Sequence, residues 1–148
     1  MKKKYQLALI LITVCGLLVS MYLAYLYSLP QPVTCLGDDI NSCEIVRNSP
    51  YSTLMGIKLP LLGTLYFMGL LVLQIVRLEK LLDINFLDKL LGLMIVFGII
   101  FETVMTFIQF FVIKSLCVWC TSIEFIVLLL GVVYYLYLKS TDSSIIQD

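Results

Sequence analysis

The sequence predicts an all-α integral membrane protein, a bundle of four transmembrane helices with an outer loop that carries a short surface helix. Three observations predict this fold class. Of 148 residues, 61% are hydrophobic and 14% charged, against roughly 45–50% and about 25% in soluble domains. Mean hydropathy is +1.02, the value of a chain whose solvent is lipid. Four apolar runs each approach the roughly 20 residues that a bilayer core requires of a helix.

The first run, Tyr5–Leu29, holds 25 residues without a charge, and Leu59–Val76 holds 18. Leu90–Ile113 is broken only by Glu102, and Ser115–Leu138 only by Glu124. The spans are accordingly placed at about 5–29, 59–78, 90–113 and 116–138, with residues 30–58 as the outer loop and the whole chain as one domain. Lys2, Lys3 and Lys4 precede the first run, as in a secretory signal. The run is longer than a signal's apolar region and no small-x-small cleavage site follows it, so it is read as a span. Lys and Arg in short loops set orientation. With the N-terminus inside, Lys2, Lys3, Lys4, Arg77, Lys80, Lys89 and Lys139 lie inside, and Arg47, Lys58 and Lys114 outside. Seven against three places both termini in the cytoplasm, in a multi-pass cell-membrane protein with its long loop outside.

Proline ends the first span at Pro30 and Pro32, because it removes a donor and restricts the residue before it. Ser49–Pro50 reads as an N-cap and first helical position, opening a short helix through about Ile57. Tyr51, Leu54, Met55 and Ile57 would let that helix lie on the membrane surface or dip into it.

Net charge is formally zero, so no overall basicity points to nucleic acid. Histidine is absent, which excludes a histidine base, a Cys–His nucleophile and imidazole metal or haem ligation. Five cysteines remain. Cys117-Val118-Trp119-Cys120 is a CxxC at the mouth of the fourth span, where both thiols share the first helical turn. Unpaired amides and the positive end of the helix dipole stabilise a thiolate there. Cys35 and Cys43 form a second pair, with turn-forming Gly37, Asp38, Asp39 and Asn41 between them. Redox shuttling is the leading reading; a structural staple across the loop, or a four-thiolate zinc site, are the bland ones. Cys15 sits mid-span, apart from the others, and reads as a packing residue without a role.

The pattern resembles the vitamin K epoxide reductase family, in its bacterial and archaeal branch. The matching residues are Cys35-x7-Cys43, Ser49 six residues on, Gly56-Ile57-Lys58-Leu59-Pro60-Leu61-Leu62-Gly63 into the second span, and the CxxC heading the fourth. The disulfide-bond protein B type carries its CxxC in the first outer loop and its wide pair in the second, the reverse order. The resemblance implies a four-helix bundle around a quinone of menaquinone, ubiquinone or vitamin K type. It also implies a secreted or membrane-anchored thioredoxin-like partner, here in trans, since no such domain follows the fourth span. Carried over, Cys35 and Cys43 are the shuttle pair, Cys117 the relay and Cys120 the cysteine nearest the quinone. Ser49 becomes a hydroxyl near the active-site mouth. Glu124 stands four residues after Cys120, where the animal members have tyrosine, so what carries over is thiol-to-quinone transfer supporting disulfide formation.

In that reading Cys120 is the thiolate that the helix terminus favours. Glu124, one turn from Cys120, and Glu102 in the third span are candidates for the quinone site or a proton relay, since intramembrane ionisable groups are costly. Trp119 is an interfacial anchor or a quinone stacker. The Phe107–Phe111 cluster reads as packing rather than a cofactor box. The alternatives are vitamin K epoxide or quinone reduction proper, or a non-catalytic membrane redox or metal sensor using the same four cysteines; a small transporter ranks below both, with only two ionisable groups in the spans.

Overall fold

A computed structural model describes residues 2–30, 42–79 and 83–145. Four helices in it are long and apolar enough to cross a membrane: Lys3–Ser28, Leu59–Leu78, Ile84–Ile113 and Val118–Ser140. The chain is a multi-pass membrane protein, and its four crossings are helical because only then does each backbone polar group find a partner within its own segment. The bundle comprises α1 (Lys2–Ser28), α3 (Leu59–Leu78), α4 (Ile84–Phe107) and α5 (Val118–Ile145). Helix α1 packs against both α3 and α5, and α4 lies against α5. One apolar core runs along the bundle through Leu9, Leu23, Phe67, Leu91 and Leu130, and at one end it takes in Cys43 and Cys117. That cysteine end carries the C-terminus of α1 and the N-termini of α3 and α5.

Helix α4 begins at Ile84, six residues before the apolar run at Leu90. Asp83 caps it, its carboxylate accepting from the Asn85 amide at 3.0 Å, which satisfies one of the amides a helix start leaves open. The added turn brings Asp88 to Arg77, forming an ion pair between the buried guanidinium and a half-buried carboxylate at the far end of the bundle. Arg77, 5% exposed, also lies 4.4 Å above the Tyr137 ring. Two glycines of α4 let tyrosines of neighbouring helices approach it closely. The Tyr66 hydroxyl sits over Gly98 and donates to the Met94 carbonyl at 3.0 Å. Tyr134 sits over Gly92 and donates to the Asp88 carbonyl at 2.6 Å. In each case the missing Cβ leaves the hole that the phenol fills.

The cysteine end differs from the single surface helix expected there. A seven-residue helix, α2 (Ser42–Asn48), precedes Ser49, and the turn that Ser49–Pro50 opens stops at Ser52. Thr53–Leu54 (β1) then pairs antiparallel with Ile57–Lys58 (β2). Met55 and Gly56 join them with φ of 52° and 84°. Positive φ at both central residues matches the twist of a two-residue hairpin, and the β-branched Thr53 and Ile57 suit the paired strands, so the helix ends. Tyr51 on the turn and Leu54, Met55 and Ile57 on this hairpin remain exposed.

The cap region is fastened to α1 by charge. Lys58 Nζ donates to the Tyr27 carbonyl at 2.6 Å, and Arg47 Nη2 to the Leu29 carbonyl at 2.7 Å. The last carbonyls of α1 thus receive cations at the negative end of the helix dipole. Arg47 is also paired with Glu44 at 3.4 Å.

Candidate functional site

Cys117 is the residue immediately before α5, and its carbonyl accepts the Thr121 amide at 3.0 Å, the first helical bond. It is therefore the N-cap, with Cys120 three residues inside. The CxxC spacing puts the cap sulfur in reach of the open amides of the first turn. The Cys120 thiol donates to the Cys117 sulfur and, against the cost of burial, the amides of Cys120 and Trp119 add to its hold. Together they lower Cys117 to about 7 from the ordinary thiol range. The thiolate that the helix terminus favours is thus that of Cys117 rather than the expected Cys120, because Cys117 occupies the cap.

Cys43 lies on α2, fully buried and disulfide-bonded. Cys35 lies outside the described residues. The Cys43 sulfur stands 3.4 Å from the Cys117 sulfur. A disulfide sulfur carries no proton, so any proton in this contact belongs to Cys117. Two turns of chain far apart in sequence thus bring one sulfur of each pair into contact inside the core.

Beneath this contact is a cavity of about 280 Å³. Its apolar wall includes Leu23, Leu59, Phe97, Phe101 and Ile123, and Ser52 and Leu54 of the cap region close one side. Cys120, Glu102, Gln109, Ser49, Tyr27 and Tyr66 contribute the polar groups. A small-molecule site is a concave, mostly apolar space that starts at roughly 300 Å³ and carries a few polar groups, and this cavity lies at the lower edge of that range. Glu102 is within electrostatic reach of Cys120, of Tyr66 and of Glu124.

Of the residues singled out in the sequence, Cys120, Ser49 and Glu102 line the cavity, and the Ser49 hydroxyl donates to the Val46 carbonyl at 2.7 Å. Trp119 and Glu124 are not among the described residues that line it. Trp119 instead packs on Tyr22, ring centroids 5.1 Å apart, and Glu124 accepts the Thr106 hydroxyl at 2.7 Å. Cys15 is exposed on the outward face of α1 rather than packed inside the bundle, since it lies off the stripe of Leu9, Thr13 and Ser20 that faces the other helices. Phe107 and Phe111 pack against each other with tilted rings, centroids 4.5 Å apart, on the outer surface and apart from the cavity. Gln109, Tyr27 and Tyr66 were not singled out; a lone amide between phenylalanines, eight residues before the CxxC, was the available signal for the first.

The arrangement is that of a membrane bundle with cysteines buried above an apolar cavity, an architecture suited to redox chemistry at the membrane edge. Residues 7–135 match the model of the vitamin K epoxide reductase family. The chain belongs to that family and is a membrane oxidoreductase.

Proposed function

We propose that this protein is a thiol–quinone oxidoreductase that reoxidises a thioredoxin-like partner and so sustains disulfide formation, with its cysteine end on the outer side of the membrane. The observation that carries the reading is the 3.4 Å contact between Cys43 and Cys117 sulfurs, a separation from which thiol–disulfide exchange proceeds directly.

Cys43 is fully buried, so a bulky partner's thiolate attacks the other member of the loop pair, Cys35. This attack releases Cys43 as a thiolate. Cys43 attacks Cys117 in a Cys117–Cys120 disulfide and displaces the Cys120 sulfur towards the cavity. Once the partner has left as a disulfide, Cys35 attacks Cys43 in the resulting Cys43–Cys117 bridge and displaces Cys117. A thiol of low pKa leaves faster, and Cys117 is held at about 7. The loop disulfide is restored and the CxxC is left as a dithiol, which matches the bonding found: Cys43 in a disulfide, Cys117 and Cys120 free. Two electrons have moved from partner to CxxC, and return of the CxxC to a disulfide releases two electrons and two protons at the cavity.

A quinone bound there would accept both, and the apolar wall with Glu102, Gln109 and Ser49 as the polar groups fits such a ring. Glu102, not Glu124, is the carboxyl placed to hold a proton at the cavity wall. The orientation rests on the seven-to-three bias of basic residues, and two of the three outer exceptions, Arg47 and Lys58, are engaged in capping α1.

Purified protein reduced with dithiothreitol should reduce a short-chain quinone, followed by quinol absorbance. Cys120→Ser should abolish this and Cys15→Ser should leave it. Turnover that survives Cys120→Ser would overturn the proposal.

A further inference from the structure

Between α4 and α5 the chain passes through a π-helical turn, Ile108–Ile113, and Gln109 organises it. Its backbone carbonyl accepts the amides of Lys114 and Ser115, the latter at 3.1 Å, which closes the wide turn. Its side-chain oxygen accepts the Cys117 amide, also at 3.1 Å. One residue thus takes three amides across the connection from the third span to the fourth. Lys114 ends the π turn at φ 56°, in left-handed backbone, so the connection is tight and leaves the Cys117 amide no helical carbonyl to use. Gln109 is buried at 7% exposure, lines the cavity with Cys120, and its side chain is within hydrogen-bonding reach of Cys120. Single π turns inside helices recur at functional sites because the extra residue per turn re-aims side chains.

We propose that Gln109 is a positioning residue of the cysteine relay: through its side-chain oxygen it fixes the Cys117 amide, and with it the register in which the Cys117 sulfur faces Cys43. The amide nitrogen left over points the same side chain at Cys120 and the cavity. The inference rests on the exchange proposed above, in which Cys43 and Cys117 become bonded. No new chemistry is added; Gln109 acts through Cys117.

The full chain carrying both Cys35→Ser and Cys120→Ser provides the test, because without either of these thiols the Cys43–Cys117 bridge has nothing to resolve it. Oxidised by diamide after reduction, this parent should accumulate the bridge, measured by peptide mapping under non-reducing conditions. Adding Gln109→Leu, of similar size without polar atoms, should slow bridge formation about tenfold to a hundredfold, the penalty typical of a misplaced reacting group. Adding Gln109→Glu instead keeps an oxygen for the Cys117 amide and should restore the rate to near that of the parent. A purely structural role predicts loss in both variants, in step with melting temperature. Bridge formation in Gln109→Leu at the parental rate, or in Gln109→Glu as slow as in Gln109→Leu, overturns the assignment. If Gln109→Leu is not recovered folded, Gln109→Glu decides alone, fast bridging supporting the role and slow bridging overturning it. A parent that never forms the bridge refutes the exchange itself, which is a separate failure.

Discussion

The sulfurs of Cys43 and Cys117 meet 3.4 Å apart inside the core, between residues 74 positions distant in the chain. Disulfide exchange requires the attacking sulfur to approach one sulfur of the bond, and here the identity of that pair is set by packing. Replacing both Cys35 and Cys120 by serine, in protein exposed to a catalytic oxidant, should therefore trap a Cys43–Cys117 bridge, while a bridge from Cys43 to Cys15 should not form. Non-reducing peptide mapping reads both. A trapped bridge using another pair would mean that the contact is structural only.

A second expectation separates shuttle from staple. A small dithiol reaches the CxxC without the loop pair, whereas a folded partner does not. Cys35→Ser and Cys43→Ser should lose oxidation of a reduced thioredoxin-like protein yet keep much of their dithiothreitol-driven quinone reduction, and variants at Cys117 or Cys120 should lose both. A staple would instead cost roughly 2–4 kcal/mol of stability and depress the two assays together. Running both donors on the same purified variants, with melting curves, distinguishes them.

The third expectation concerns pH. Cys117 is held near 7, first by the Cys120 thiol and then by first-turn amides. Lowering a thiol's pKa favours its ionised form, so the thiolate is present above about 7 and is lost as pH falls through that value. Titrating the ultraviolet thiolate absorbance of reduced protein, with Cys117→Ser as blank, should show this midpoint. Cys120→Ala removes the strongest donor and should move the midpoint up towards the ordinary thiol value of about 8.5. Cys120→Ser keeps an O–H donor and should hold it near the native position. Midpoints at the native value in both the alanine and serine variants would show that the helix terminus alone sets the Cys117 pKa.

The spans were legible because each needs a long apolar run and a bilayer tolerates little else; their caps were less so. Asp83 lies seven residues ahead of the run at Leu90, and an amphipathic turn between them carries no membrane signal. The CxxC was legible because its chemistry depends on spacing that a helix start enforces. Which of its two sulfurs becomes the better thiolate was not, since that depends on Cys117 rather than Val118 being the cap. Helix α2 is too short for periodicity to show, and the Ser49–Pro50 signature correctly opens a turn but does not say that Gly56 will fold the chain back after one. Glu102 was legible as an intramembrane carboxyl but not as part of the cavity wall, and Gln109 escaped altogether, for a shared reason. A single polar residue in an apolar run has no pattern, and its facing depends on helix rotation, which the π turn alters just before the site.

The two intramembrane carboxyls give the last expectation, and they divide by position. Glu102 lines the cavity with Cys120, whereas Glu124 lies off it and is engaged by the Thr106 hydroxyl. An ionisable group at this depth is costly enough that it is kept for function by default, and a positioned proton donor contributes about a hundredfold or more to a rate. Glu102→Gln preserves size and hydrogen bonding but removes the transferable proton. It should slow dithiothreitol-driven quinone reduction by about a hundredfold, while the Cys43–Cys117 bridge still forms normally in the trapping background. Glu124→Gln keeps an acceptor for Thr106 and should cost far less. Stopped-flow quinol formation, alongside the bridge measurement, isolates the proton step from the exchange step. Equal losses in the two variants would make the carboxyls one unit, and a larger loss at Glu124 would move proton supply to the helix face away from the cavity.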